Sequence, residues 1–492
     1  MPFSIRLSSI IFAASFLLLF LLEGPPKNKL FPNSSLSYFI PPDLLINDSW
    51  YEIDFAGEFI GYCHYLVKRS TAKNNKDGYI LENKISLKIP MLGKIESFDL
   101  DTKIVLKKDY SLINAKINFQ SNKYFLRGNI DKENSKIFRL NIETPTQKTT
   151  HYIDASSKFI STSFMPFISN YLPLNKKTKL SLFDPLTNRE ITIYLENKGY
   201  KNIHINGKEK KAVEISLNIE NIEGKIYTDT KGHLLQQEIL GLKFIKKEPQ
   251  ELFKKTFPKT RKDLINNFTI VVRNIPYKER IKTLTLKING LDIDKLPQKP
   301  NQHIDKYRHT VTISKIVPKN ILTIPIEKDN LSDYLKEDAF IKFNHNEVEE
   351  TAKKIVGDET DPLKIISLLL NWINTNIKKT PTVSIPNSLD TLKMRQGDCG
   401  ELSALFVGFL RSLGIPSYVN IGLVYLNSRF FYHAWVSAFV GEWIDIDPAL
   451  NQPIADATHL TLRKGLKGQF EILEFIGKIK IKILNCSYEE ND

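Results

Sequence analysis

A cysteine, a histidine and an aspartate in the C-terminal third of the chain, Cys399, His433 and Asp447, have the types and order needed for thiol-dependent acyl transfer. In such chemistry a thiolate attacks a carbonyl carbon, an imidazole takes up and returns the proton, and a carboxylate on the far ring nitrogen fixes the tautomer. The other two cysteines, Cys63 and Cys486, stand among apolar residues, where a buried free thiol is the ordinary state. Three widely spaced cysteines exclude a disulfide framework and a C-x-x-C motif, and leave open one bond between Cys63 and Cys486.

The elements that must position these groups are specified locally. Leu402, Leu405, Phe406, Phe409, Leu410 and Leu413 form one apolar stripe, which predicts a helix buried on one side. Asp398 and Glu401 make a capping box at its start; Gly414 and Pro416 end it. Cys399 thus falls at the first helical position, where the positive end of the helix dipole lowers a thiol pKa from about 8.5 and backbone N–H groups can receive an oxyanion. The two neighbouring acids oppose that ionisation, so a cationic partner is needed. Phe430 to Val440, an apolar strand with His433 in it, offers one, and Trp443 to Pro448 returns beside it after Gly441-Glu442. A two-residue turn would set Asp447 on the face opposite His433; one more loop residue or a bulge restores the shared face, and that irregularity is expected. Asp447 also lies nearer His433 along the ladder than Asp445, which is the lesser candidate.

These residues resemble the transglutaminase-like superfamily. Its bacterial members carry Gly-Asp-Cys-x-Glu, Gly-Ile-Pro, His-Ala-Trp and then Trp followed by Asp-Pro; here they stand as Gly397–Glu401, Gly414–Pro416, His433–Trp435 and Trp443–Pro448. The resemblance covers about residues 331–465. It implies a papain-like thiol fold with Cys399 as nucleophile, His433 as general base and acid, and Asp447 as third member. The family often continues Asp-Pro-Thr, whereas this chain has Ala449.

Upstream, the chain reads differently. Its 492 residues carry a net charge of +14 spread along the length, with no zinc-finger, P-loop or RNA-binding signature, so nucleic acid is not an expected partner. Arg6 precedes an apolar run, Leu7 to Leu22, which reads as a signal anchor or signal peptide. This implies a protein anchored in the inner membrane and facing the periplasm, or secreted or periplasmic if the segment is cleaved. From Trp50 to about Leu240 the apolar period is close to two, with turn signals at Asn206-Gly207 and Lys231-Gly232. The opening of this region, Trp50 to Tyr62, is similar to β-domains attached to some bacterial transglutaminase-like proteins, which implies a curved sheet able to hold an apolar or protein ligand. His64, His151, His204 and His233 stand singly there and read as structural. Helices are expected over 346–355 and 363–377, with Trp372 as packing, and Gly477 to Ile483 reads as an edge strand guarded by lysines.

The expected architecture is multidomain α+β. Residues 1–24 form the signal segment, 25–48 a linker, 49–250 an antiparallel β-domain and 251–330 a small β segment or linker domain. A catalytic α+β core of papain-like, transglutaminase-like type spans 331–465, and a strand and tail follow at 466–492. The expected function is acyl transfer on protein or peptide amide bonds, with hydrolysis favoured over crosslinking. A scaffold, or a lipid or lipoprotein carrier, is the non-catalytic alternative. Neither metal nor cofactor is implied, because the histidines lack ligand spacing.

Overall fold

The computed structural model describes residues 47–489, apart from internal stretches of which 155–171 and 258–268 are the longest. The signal segment and residues 25–46 of the linker lie outside the described residues. Among those described, no helix is long and apolar enough to cross a membrane. The chain divides into an N-terminal unit ending at Leu264 and a C-terminal unit, Ile265–Asp492.

The N-terminal unit is one fourteen-stranded antiparallel sheet. Strands β1 (Asn47–Phe55), β2 (Glu58–Arg69), β3 (Tyr79–Met91), β4 (Lys94–Leu106), β5 (Leu112–Ser121), β6 (Phe125–Lys132), β7 (Ile137–Glu143) and β8 (Lys148–Asp154) make one meander. Strands β9 (Lys177–Asp184), β10 (Arg189–Ile205), β11 (Lys208–Ile219), β12 (Ile222–Thr228), β13 (Leu234–Ile239) and β14 (Leu242–Lys247) make a second, and β1 pairs with β14 to join them. The period-two pattern is the cause: on β11, Val213, Ile215, Leu217 and Ile219 are buried while residues between them are less so. Asn206 and Gly207 both have positive φ, 53° and 73°, the conformation of a tight hairpin turn. Trp50 on β1 faces His64 on β2, their rings stacked 4.0 Å apart, and His64 Nε2 meets Asp48 at 2.8 Å. A short helix, α1 (Pro249–Leu252), follows β14.

The C-terminal unit holds two further antiparallel sheets. One has the order β17 (Gln302–Asp305), β18 (Thr310–Ser314), β16 (Ile281–Asn289), β25 (Lys480–Tyr488). The segment before residue 330 and the tail therefore share a sheet. β25 is its last strand, with Lys480 and Lys482 exposed. The other sheet runs β15 (Thr269–Val271), β22 (Arg429–Phe439), β21 (Ser417–Leu426), β24 (His459–Lys464), with β23 (Trp443–Ile446) also paired to β22. A two-stranded pair, β19 (Lys378–Lys379) and β20 (Gln396–Gly397), completes the set.

Four helices follow in this unit, α2 (Asn346–Val356), α3 (Pro362–Asn376), α4 (Ser388–Met394) and α5 (Cys399–Ser412), and α5 lies against the second sheet. Asp361 caps α3 by accepting from the Leu363 amide, and Pro362 fills the first turn, where no donor is needed. The expectation that α5 is buried on one side only is corrected: every residue from Cys399 to Arg411 is buried. α5 runs between α2, α3 and α4 and the strands β21 and β22. Its off-stripe residues Gly400, Ser403, Ala404 and Gly408 are small enough to allow this; a Cβ at Gly408 would lie 3.0 Å from Ser388 Cβ.

The expected α+β class is also corrected. The structure is 53% strand and 18% helix, built on large antiparallel sheets, and does not form a clear α+β core of papain type. Apart from the single turn of α1, the α-helices among the described residues lie between residues 346 and 412, whereas alternating strands fill the described residues on both sides.

Gly422 on β21 shows how tightly the second sheet is assembled. It sits opposite His433, and a Cβ there would lie 2.0 Å from the Leu460 carbonyl oxygen and 2.9 Å from the Trp435 ring. Gly422→Ala is expected to lower stability by at least about 2 kcal/mol, read from urea unfolding, because backbone and a buried indole must both shift.

Candidate active site

The start of α5 has the predicted cap. The Asp398 side chain accepts from the Gly400 amide at 3.1 Å, the Glu401 carboxylate accepts from the Asp398 amide at 3.1 Å, and the capping box is complete. At the other end Gly414 has φ +77°, and the Ile415 amide donates to the Leu410 carbonyl, the closing bond of a left-handed cap. Cys399 is fixed at the first position. The same cap takes the Gly400 and Glu401 amides, so this helix start offers fewer donors to an oxyanion than a bare N-terminus.

His433 and Asp447 come together through the hairpin between β22 and β23. Phe439 pairs with Trp443, which leaves the three residues Val440, Gly441 and Glu442 in the loop. This is the extra residue that parity demanded, and it puts Asp447 on the His433 side. His433 Nε2 lies 2.7 Å from Asp447 Oδ2, and both side chains are fully buried. Asp447 Oδ1 accepts from the amides of Ala449 and Leu450, 2.9 Å each, in the turn that Pro448 begins. Burial alone would raise the Asp447 pKa; the His433 and His459 rings outweigh it and hold the carboxyl well below the usual range. The other ring nitrogen of His433, Nδ1, is buried and has no hydrogen-bond partner. Cys399 has no exposed surface, so entry of a substrate requires the groups covering it to move.

Asp445 has a different place. Its carboxylate receives the Lys299 ammonium at 2.7 and 3.0 Å, Asn301 Nδ2 at 2.9 Å and the Trp435 indole N–H at 3.1 Å. Lys299 also donates to Asn420 and Thr461, and its pKa is pushed down by burial. This buried ion pair fixes Trp435, which packs beside both His433 and His459.

Two residues of the site escaped sequence reasoning. His459, on β24, places Nε2 3.0 Å from the same Asp447 Oδ2, and its Nδ1 lies 3.0 Å from the Asp456 carbonyl oxygen. Asp456 is held by Lys278 at 3.0 Å and Gln452 at 2.9 Å. Burial works against a charge on His459, but the bonds to Asp447 and Asp456 prevail and raise its pKa to about 9. The signal available was a histidine opening a strand with alternating leucines, three residues after an aspartate. Among the described residues, His433, Asp447 and His459 also bring one potential ligand atom each within 4.8 Å. Their mutual separations of 2.7 and 3.0 Å, from the Asp447 oxygen to each ring, are hydrogen-bond lengths.

Two outcomes follow from these contacts. Asp445→Asn leaves the Lys299 ammonium buried without its counter-charge, and is expected to cost about 3–5 kcal/mol in urea unfolding followed by tryptophan fluorescence. His459 has a folded pKa above its unfolded value, so the stability it contributes is fully present below about pH 6.5 and lost as pH rises toward about 9. Wild type should therefore lose a few kcal/mol between pH 6 and 9.5 through this group, and His459→Gln should lack that component.

Comparison with known proteins agrees on the domain. Residues 349–448 match the transglutaminase-like superfamily. An uncharacterized protein of Haemophilus influenzae is 30% identical over 99 residues; the match covers 19% of this chain and 27% of that protein, so the chain spans only about a quarter of its relative's length. Among solved structures, a candidate cysteine protease of Cytophaga hutchinsonii is 16% identical, with 46% of this chain and 89% of that one covered, at a TM-score of 0.29. A β-barrel-like protein of Brucella abortus is 11% identical, with 41% and 94% covered and a TM-score of 0.31. The periplasmic domain of TgpA from Pseudomonas aeruginosa is 16% identical, with 37% and 86% covered and a TM-score of 0.25. Residues 349–448 thus carry a transglutaminase-like domain, which supports a thiol-dependent enzyme in broad terms.

Proposed function

We propose that the C-terminal unit hydrolyses amide bonds of a protein or peptide through a thioester on Cys399, with His433 as base and acid and Asp447 as the group that orients it. The observation that carries this reading is the buried 2.7 Å bond from His433 to a carboxylate locked by two backbone amides. It leaves Nδ1 of the ring for the thiol. In the first half-reaction the Cys399 sulfur attacks the amide carbonyl. The resulting tetrahedral species collapses as His433 gives its proton to the leaving amine, and the C–N bond breaks. In the second, His433 takes a proton from water, which attacks the thioester; the acid leaves and the thiol is restored.

Hydrolysis and crosslinking share the first half-reaction and part at the acceptor, water or an amine. Water is the simpler assignment, because nothing among the described contacts selects an amine. The apolar run Leu7–Leu22 behind Arg6 supports placing the unit outside the cytoplasm, held to the membrane by that segment or released from it.

The test is a peptide and protein substrate screen with the full chain, scoring both release of peptide or ammonia and incorporation of a fluorescent amine. Release that falls at least ~10³-fold in Cys399→Ala is the expected result. Amine incorporation without release assigns crosslinking instead. A thiol probe that labels Cys63, Cys399 and Cys486 slowly and equally at neutral pH would sink both enzymatic readings.

A further inference from the structure

We propose that His459 is a positioning residue of the same site: an imidazolium at neutral pH that shares the Asp447 carboxylate with His433 and so sets the pH range in which Cys399 and His433 work as a pair. The inference rests on the roles given above to Cys399, His433 and Asp447.

The charge follows from hydrogen-bond bookkeeping. His459 Nε2 faces Asp447 Oδ2 at 3.0 Å, and Nδ1 faces the Asp456 carbonyl oxygen at 3.0 Å and Asp456 Oδ1 at 3.3 Å. Carbonyl and carboxylate oxygens accept and do not donate, so each ring nitrogen must carry a proton. A neutral ring would set a lone pair against an oxygen at one end. Neither carboxylate has room to supply the proton in its place. Asp447 already accepts His433 and two amides, and Asp456 accepts Lys278, Gln452 and Thr458. The upward displacement of the His459 pKa to about 9 agrees.

The consequence concerns His433. Both rings donate to one oxygen, Asp447 Oδ2, and their centroids are 6.1 Å apart, with the Trp435 ring packed against each. In a simple histidine–carboxylate pair the whole anionic charge favours the imidazolium. Here a second cation already draws on it, so His433 shares its counter-charge with His459. The other charges facing this cluster are Asp456 with Lys278 behind it, and Lys379, whose Nζ binds the Ala449 carbonyl in the Asp447 turn. Lys278 and Asp456 form their own ion pair, which leaves His459 as the cation in direct contact with Asp447. Removing a cation at this distance raises the pKa of every nearby group by roughly one unit.

The test needs no substrate. In the full-length protein the rate of Cys399 alkylation by iodoacetamide is followed by peptide mass spectrometry from pH 4 to 10. His459→Gln keeps an N–H donor toward Asp447 but not the charge, and should move the Cys399 profile toward alkaline pH by roughly one unit. Lost packing alone would lower rates without moving the limbs. His433→Ala serves as the control on the underlying roles: if it leaves the wild-type profile unchanged, those roles fail and the inference with them. If His433→Ala flattens the profile while His459→Gln superimposes on wild type, the roles stand and the inference is overturned. Should His459→Gln not fold, nitrogen-15 NMR of histidine-labelled wild type decides. One ring protonated on both nitrogens at pH 8 is expected, and titration of all nine histidines below pH 7.5 overturns the proposal.

Discussion

The site depends on one buried carboxylate. Asp447 is fully buried and accepts four hydrogen bonds, from the Ala449 and Leu450 amides on one oxygen and from His433 and His459 on the other. An ionised group in such a place is tolerable only when every lone pair is used and positive charge lies close. That condition dictates the local fold. The turn after β23 must present its amides, β22 must bring His433 to one side, and β24 must bring His459 to the other.

A second buried charge supports the first from behind. Lys299 and Asp445 tie the segment before β17 to β22, β21 and β24, and Asp445 holds the Trp435 indole N–H. Trp435 is fully buried and packs beside both histidine rings. The two aspartates of Asp445-Ile-Asp447 thus share a face of one short strand and its extension but divide the work. One anchors the sheet through Lys299, and the other holds the two histidines. The glycine at 422 is what allows the indole to lie across β21.

The cysteine is held by a different logic. A capping box and a left-handed cap fix both ends of α5, and small residues on its off-stripe face allow it to be enclosed on all sides. The cap that fixes Cys399 also consumes amides and adds acids near the sulfur. His433 is held from a different direction, by the Asp447 oxygen that it shares with His459, so helix, hairpin and the last strand of the sheet meet in one buried cluster.

Much of this was legible in the sequence because it is local. The ends of α5, the Asn206-Gly207 turn and the period-two strands rest on spacing within a few residues, and hairpin parity called for one more loop residue or a bulge between β22 and β23, met here by a three-residue loop. The α+β class does not hold because strands occupy far more of the chain than the short helical run between residues 346 and 412. What only tertiary structure decided is what long-range pairing creates. Lys299 meets Asp445 across 146 residues, the tail pairs with β16, and β24 returns to place His459 on the same oxygen as His433. Nothing in the local spacing of a lysine, or of a histidine at the start of a strand, tells which buried carboxylate it will neutralise; that is fixed only when the sheet closes and each buried charge has to find its partner.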